Sequence, residues 1–308
     1  MLPRFLPELL LGLALLLGCG PGSTVSAQPR PSAAADKPLK VVTSISPIAD
    51  LIRNVGGDRV EVTALVPLGD EPEDYDPTPA DAAAVSQARV FFANGLGLEG
   101  YLANLIESAG NQQIEVVTLS DGLPTMTSFG QGSDEGGNPH LWLNPRNAIS
   151  YVDVIRQTLD RVDPAAAPVY DANAGNYAAQ LTALDGYIEQ QVNAIPPAGR
   201  VLVTTHDAYP YFADRYGLRY LAVISANPNS DPSAQEYAAL VKAVKDNGVK
   251  AVFGEAGFSD RFISQLATDT GATFVSNLYT DTLSQGPPAD TYLNAMKYDA
   301  DTMVGALR

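Results

Sequence analysis

From Leu39 onward, short apolar runs alternate with longer stretches of mixed polarity. Leu39–Thr43, Val60–Val66, Val90–Ala93 and Ile114–Thr118 are nearly continuous apolar runs, the pattern of strands buried on both faces. Helical spacing fills the intervals near Ile48–Val55, Ala80–Gln87 and Glu99–Ser108. The rhythm returns later, with predicted strands at Val201–Thr204, Leu218–Val223, Ala251–Phe253 and Thr273–Val275. Helices are predicted at Tyr209–Tyr216, Ala234–Asn247, Asp260–Thr270 and Thr291–Leu307. Strand–helix–strand repeats imply parallel sheets covered by helices. Between the two sets, Tyr170, Ala174, Tyr177, Leu181, Leu184, Ile188 and Val192 recur every three or four residues. This predicts one helix from about Pro168 to Ala194, roughly 40 Å long, ending before Pro196-Pro197. Asp163-Pro164 and Pro168 are alternative starts, and a break near Gly175 or Gly186 into two shorter helices is the competing reading. The expected fold is α/β: two similar lobes, each a small parallel sheet flanked by helices, over 39–162 and 198–308. One long linking helix within 163–197 joins them and leaves a cleft between the lobes.

Residues 1–18 break this pattern. A thin positive start (the amino terminus and Arg4, with Glu8) precedes the uncharged run Leu9–Leu17. That run is too short to span a bilayer, which needs ~20 apolar residues, and it reads as a signal peptide. Leu16-Leu17-Gly18-Cys19 looks like the lipobox of bacterial lipoproteins, in which the Cys is lipidated; an ordinary signal peptide with an incidental Cys is the alternative. Cys19 is the only Cys, so no intrachain disulfide, thiolate metal site or Cys nucleophile exists in the body. Residues 19–38, rich in Gly, Ser, Ala and Pro, then form a flexible tether.

Charge narrows the choice of ligand. Lys plus Arg number 19 and Asp plus Glu 35, a balance of −16. Such a surface repels phosphate backbones and anionic lipid, so nucleic-acid binding is not expected, and a cationic ligand is compatible with it. With 45% hydrophobic residues the chain can bury a sizeable core.

Open parallel sheets bind ligands beyond the carboxyl ends of their strands. The chain has two His residues, and both lie in such loops. His206 follows Val201–Thr205 directly, and His140 lies in Asn138-Pro-His-Leu-Trp-Leu-Asn-Pro145. Glu73 follows the strand ending at Val66, and Asp281 follows Thr273–Tyr279. Two imidazoles and two carboxylates suit Zn, Mn or Fe better than Ca, which prefers oxygen alone. The spacing is unlike a zinc-finger repeat, so each residue also has a plain structural reading. His140 would pack beside Trp142, His206 would bond backbone, and Glu73 and Asp281 would be solvated carboxylates.

Several segments, in one order, resemble the substrate-binding lipoproteins of zinc and manganese ABC importers. The family pattern Gly-x-Asp-Pro-His-x-Tyr-x-Pro-x-Pro-x-Asp appears as Gly69-Asp-Glu-Pro-Glu73-Asp-Tyr75-Asp-Pro77-Thr-Pro79-Ala-Asp81. Asp-Pro-His-x-Trp-x-Asp-Pro appears as Asn138-Pro139-His140-Leu-Trp142-Leu-Asn144-Pro145. His206-Asp-Ala-Tyr209 with Tyr211-Phe-Ala-Asp-Arg-Tyr-Gly-Leu218, and Val252-Phe-Gly-Glu255-Ala-Gly-Phe258-Ser, also fit.

The resemblance covers nearly all of 39–308 and implies a metal set of Glu73, His140, His206 and Asp281, two ligands from each lobe. The first of these is usually His, and Glu73 in its place either coordinates or leaves a water position. His at the third position leans toward zinc, while the Glu73 carboxylate pulls toward harder ions. The His-rich insertion that many zinc-type relatives carry before the second ligand is missing: Met126–Asn138 holds no His outside the motif.

The function this implies is a monomeric receptor, lipid-anchored through Cys19 outside the cytoplasmic membrane. It would capture one divalent ion (zinc favoured, manganese or iron possible) as transported ligand and hand it to a cognate ABC permease. Three other readings stand beside it. The same residues could serve a metal-dependent hydrolase with Glu255 as base. The cleft could take a metal chelate or small organic ligand, or the chain could be an adhesion or scaffolding lipoprotein.

Overall fold

The computed structural model describes residues 37–128, 137–223 and 232–308. The predicted signal peptide, Cys19 and most of the tether lie outside the described residues. Among those described, no helix is long and apolar enough to cross a membrane.

The first sheet holds β1 (Leu39–Thr43), β2 (Val60–Ala64), β3 (Val90–Ala93) and β4 (Glu115–Thr118), all parallel, in the order β2-β1-β3-β4. Its helices are α1 (Ser46–Gly56), α2 (Pro79–Gln87) and α3 (Leu102–Ala109). Every side chain of β3 is buried, as expected for a run without alternation. Thr78 and Asp81 close a reciprocal capping box that starts α2.

The second sheet repeats the plan. It holds β5 (Val201–Thr204), β6 (Arg219–Val223), β7 (Ala251–Glu255) and β8 (Thr273–Leu278), in the order β6-β5-β7-β8. Its helices are α6 (Pro210–Tyr216), α7 (Ala234–Asp246) and α8 (Arg261–Thr270). In each sheet the chain reverses its direction of travel beside the first strand, between β1 and β3 and between β5 and β7. These are the switch points at which such sheets bind ligands.

Two long helices stand between the sheets. The sequence reading missed α4 (Pro145–Val162), although Asn144 caps it by accepting from the Arg146 N–H at 3.0 Å. Its buried face is Ala148, Tyr151, Val152, Ile155 and Leu159. The second, α5 (Ala167–Asn193), runs unbroken through Gly175 and Gly186. It buries the seven apolar residues whose spacing predicted it, Tyr170 through Val192.

α5 is more than a tether between lobes. It packs against α1 and α4 on one side and against α6 and α9 (Tyr292–Leu307) on the other. One hydrophobic core therefore runs from Ile48 and Leu51 through Tyr177 and Leu181 to Phe212 and Met303. Asp50 of α1 accepts from the Tyr292 N–H at 3.0 Å, tying the start of α9 to the first lobe.

Polar bonds reinforce this spine at Asp185 of α5. Its carboxylate accepts from Arg146 of α4 at 3.0 Å, from Arg215 of α6 at 2.6 and 2.8 Å, and from the Tyr216 hydroxyl at 3.0 Å. Burial by itself would raise this carboxyl, but the bonds from Arg215, Arg146 and Tyr216 outweigh it and hold the group below its ordinary value. A depressed carboxyl stabilises the fold above its unfolded value near 4 and loses that contribution as pH falls through the folded value. Asp185→Asn is expected to cost about 2–3 kcal/mol near neutral pH by urea denaturation, and the gap to wild type should close below pH ~4. A gap that persists undiminished at low pH would show that Asp185 acts by shape alone.

Candidate metal centre

Three side chains from both lobes converge at the ends of the sheets. His206 follows β5 by two residues, Asp281 lies in the turn after β8, and His140 precedes α4. His140 Nε2 and His206 Nε2 face each other at 3.1 Å. Asp281 Oδ2 is 3.2 Å from His206 Nε2, and Asp281 Oδ1 is 3.4 Å from His140 Nε2. All three side chains are at most 3% exposed.

The outer nitrogen of each imidazole faces an oxygen. His140 Nδ1 is 3.0 Å from Asn138 Oδ1, and the Asn138 amide NH2 donates to the Asp207 carbonyl at 2.6 Å, which fixes which way the amide points. His206 Nδ1 is 2.9 Å from Glu255 Oε2, while Glu255 Oε1 accepts from the His206 N–H at 3.0 Å. In its neutral form, an imidazole at either position with its proton on Nδ1, toward these oxygens, turns its Nε2 lone pair inward. Two lone pairs and a carboxylate meeting at about 3 Å repel unless a positive charge sits among them.

The titration behaviour follows from this. Burial alone would lower His206, but the Glu255 and Asp281 carboxylates hold it well above its ordinary value. Burial alone would raise Asp281, but His140 and His206 hold it far below the usual carboxylate range. Both shifts express the same demand for positive charge at one point.

The scaffold behind the site is polar and shared between lobes. At the first switch point, buried Glu99 accepts from the Ser44 hydroxyl at 2.6 Å and the Asn94 N–H at 2.8 Å. Asn94 in turn accepts from the Tyr151 hydroxyl at 2.6 Å and donates to the Pro139 carbonyl at 2.9 Å, holding the segment that presents His140. Across the cleft, Trp142 Nε1 donates to the Thr280 carbonyl at 2.9 Å, and the Tyr211 hydroxyl donates to the Asn138 carbonyl at 2.7 Å. On the second lobe, buried Asp299 accepts from the Tyr279 N–H at 2.9 Å and the Tyr209 hydroxyl at 3.1 Å, fixing the turn before Asp281. The half-buried Phe258 ring stacks on His206 at 4.3 Å and shields it.

A family described as zinc-uptake complex component A, periplasmic (ZnuA), matches residues 41–306. The chain belongs to this family. It is 36% identical over 291 residues to the manganese-binding lipoprotein MntA of Halalkalibacterium halodurans, covering 94% of this chain and 93% of that protein. It is 31% identical over 303 residues to the metal ABC transporter substrate-binding lipoprotein SsaB of Streptococcus sanguinis, covering 96% of each. The Mn-bound periplasmic metal-binding protein of Candidatus Liberibacter asiaticus superimposes with a TM-score of 0.79 at 28% identity, covering 88% of this chain and all of that one. The ZnuA family consists of substrate-binding components of transport, not enzymes. Glu255, weighed above as a hydrolytic base, has both oxygens turned to His206.

One member of the expected set stands apart from the others. Glu73 is exposed, and its backbone N–H donates to Glu71 Oε1 at 3.1 Å. Glu71, two residues earlier across the bend at Pro72, is the one with a buried carboxylate oxygen, Oε2. The sequence reading also passed over Asn138, Asn94 and Glu99, whose roles depend on partners far away in the chain.

Asn138 bridges the lobes and orients His140 at once. Asn138→Ala is expected to cost about 1–3 kcal/mol in urea denaturation, because the Asp207 carbonyl loses its donor and His140 Nδ1 its acceptor. An unchanged stability would show that the bridge is replaced by water at no cost.

Proposed function

We propose that this chain is an extracytoplasmic receptor that captures one divalent transition-metal ion between His140, His206 and Asp281 and delivers it to an ABC permease. What carries the reading is the convergence of two bare imidazole nitrogens and a carboxylate on one buried point. Coordinating atoms around a tetrahedral zinc with bonds of 2.0–2.1 Å lie roughly 3.3 Å apart. Around a six-coordinate ion with bonds near 2.1 Å, neighbouring ligands lie roughly 3.0 Å apart. Separations of 3.1, 3.2 and 3.4 Å suit either. Two imidazoles tip the affinity order toward zinc over manganese. The manganese named for MntA supports a site of this class that also admits the weaker binder when it is the ion supplied.

Capture joins the two halves, because His140 comes from one lobe and His206 with Asp281 from the other. The continuous core along α5 keeps the motion between open and closed forms small. Attachment to the membrane runs through lipidated Cys19 and the tether, the receptor acts as a monomer, and permease docking disturbs the ligands to release the ion.

Competition titration with Zn, Mn and Fe(II) tests this. One equivalent of metal per chain is expected, with zinc bound most tightly, and His206→Ala or Asp281→Ala abolishes it. Glu255→Gln should weaken binding by about 10–100-fold, as expected for the loss of a carboxylate that orients a ligating imidazole. A folded wild-type protein that binds all three ions only at millimolar concentration contradicts the reading.

A further inference from the structure

The proposed capture site leaves a gap in its own ligand shell. Three donors hold a zinc ion incompletely, since sites with no open position are four-coordinate. A fourth donor has to come from a nearby carboxylate. Glu255 is committed to His206, and Asp299 and Glu99 are saturated by hydrogen bonds behind the site. Glu71 remains.

The segment carrying Glu71 is pinned against the centre from two sides. The Gly69 N–H donates to Thr282 Oγ1 at 3.0 Å, next to Asp281. On the other side Gly257 lies so close that a Cβ there would stand 2.8 Å from the Gly69 carbonyl oxygen, and its φ of +95° suits only Gly comfortably. Gly257 precedes Phe258, whose ring covers His206. Glu71 thus enters between the turn that bears Asp281 and the turn that shields His206.

Its carboxylate is half used. Oε1 accepts from the Glu73 N–H, while Oε2 is buried with no hydrogen-bond partner. Asp281 Oδ1 is in the same condition. A buried carboxylate oxygen without a donor is costly. His140, His206 and Asp281 already converge on one point, and the unpartnered Glu71 oxygen lies on the segment pinned beside Asp281, so a dication held by the three has this carboxylate at hand to complete its shell. Two neutral imidazoles and two carboxylates around M²⁺ make a coordination shell with no net charge of its own.

We propose that Glu71, through Oε2, is the fourth metal ligand of this chain, and that Glu73 stays outside the coordination shell. The inference rests on the capture reading above and departs from the alignment of motifs, which puts Glu73 in that position.

Zinc competition titration of wild type, Glu71→Gln and Glu73→Gln decides it. Glu71→Gln should lose at least about 100-fold in affinity, the upper end of the loss seen for outer partners of a ligand. Glu73→Gln should stay within about threefold of wild type. The thermal midpoint of metal-free Glu71→Gln should equal or exceed that of wild type, because a carboxylate facing Asp281 is removed. That separates a ligand from a residue the fold needs. Retained affinity in Glu71→Gln overturns the inference, whether Glu73→Gln is weakened or not. A lowered metal-free midpoint large enough to account for the lost affinity also overturns it. Wild-type protein that binds no zinc overturns the capture reading and this inference together; wild-type binding with an indifferent Glu71→Gln overturns this inference alone.

Discussion

Two imidazole rings from opposite lobes meet Nε2 to Nε2 across 3.1 Å. Their outer Nδ1 atoms face Asn138 Oδ1 at 3.0 Å and Glu255 Oε2 at 2.9 Å. Asp281 then adds negative charge at the same point instead of relieving it. The cluster is buried and held by the surrounding bonds, and its carboxylate and imidazole nitrogens together favour positive charge at its centre.

The fold supplies the geometry by duplication. Each lobe has a parallel sheet with a switch point beside its first strand, and each places a buried glutamate there. In the second lobe Glu255 faces His206 directly. In the first lobe Glu99 acts one step further back, through Asn94 to the Pro139 carbonyl and so to His140. The halves are then locked by Trp142 to Thr280, Asn138 to Asp207 and Leu283 to Ser46. Behind them α5 and its shared core limit how far they separate.

Much of this was legible from the chain. Continuous apolar runs marked the strands because both sheet faces are covered, and the long apolar stripe marked α5 because a helix packed on one side must repeat every three to four residues. α4 was overlooked although Tyr151, Val152, Ile155 and Leu159 carry the same spacing. Its start sits inside the Asn138–Pro145 motif, which draws the eye as chemistry. β7 and β8 run on to Glu255 and Leu278, past the apolar run: Glu255 ends β7 against His206, and Leu278 ends β8 in the core. The His pair and Asp281 were readable as groups beyond strand ends. Which of Glu71 and Glu73 turns inward was not, because a motif aligns residue types and the local turn decides direction. The roles of Asn138, Asn94 and Glu99 arise only when distant segments meet.

The central claim is that both imidazoles hold the same ion. X-ray absorption at the zinc edge, on protein loaded with one equivalent, reads the coordination shell directly. The account predicts two imidazoles, recognised by their outer-ring scattering, with carboxylate oxygen completing a closed shell. A shell with one imidazole or none, filled by water, would contradict it.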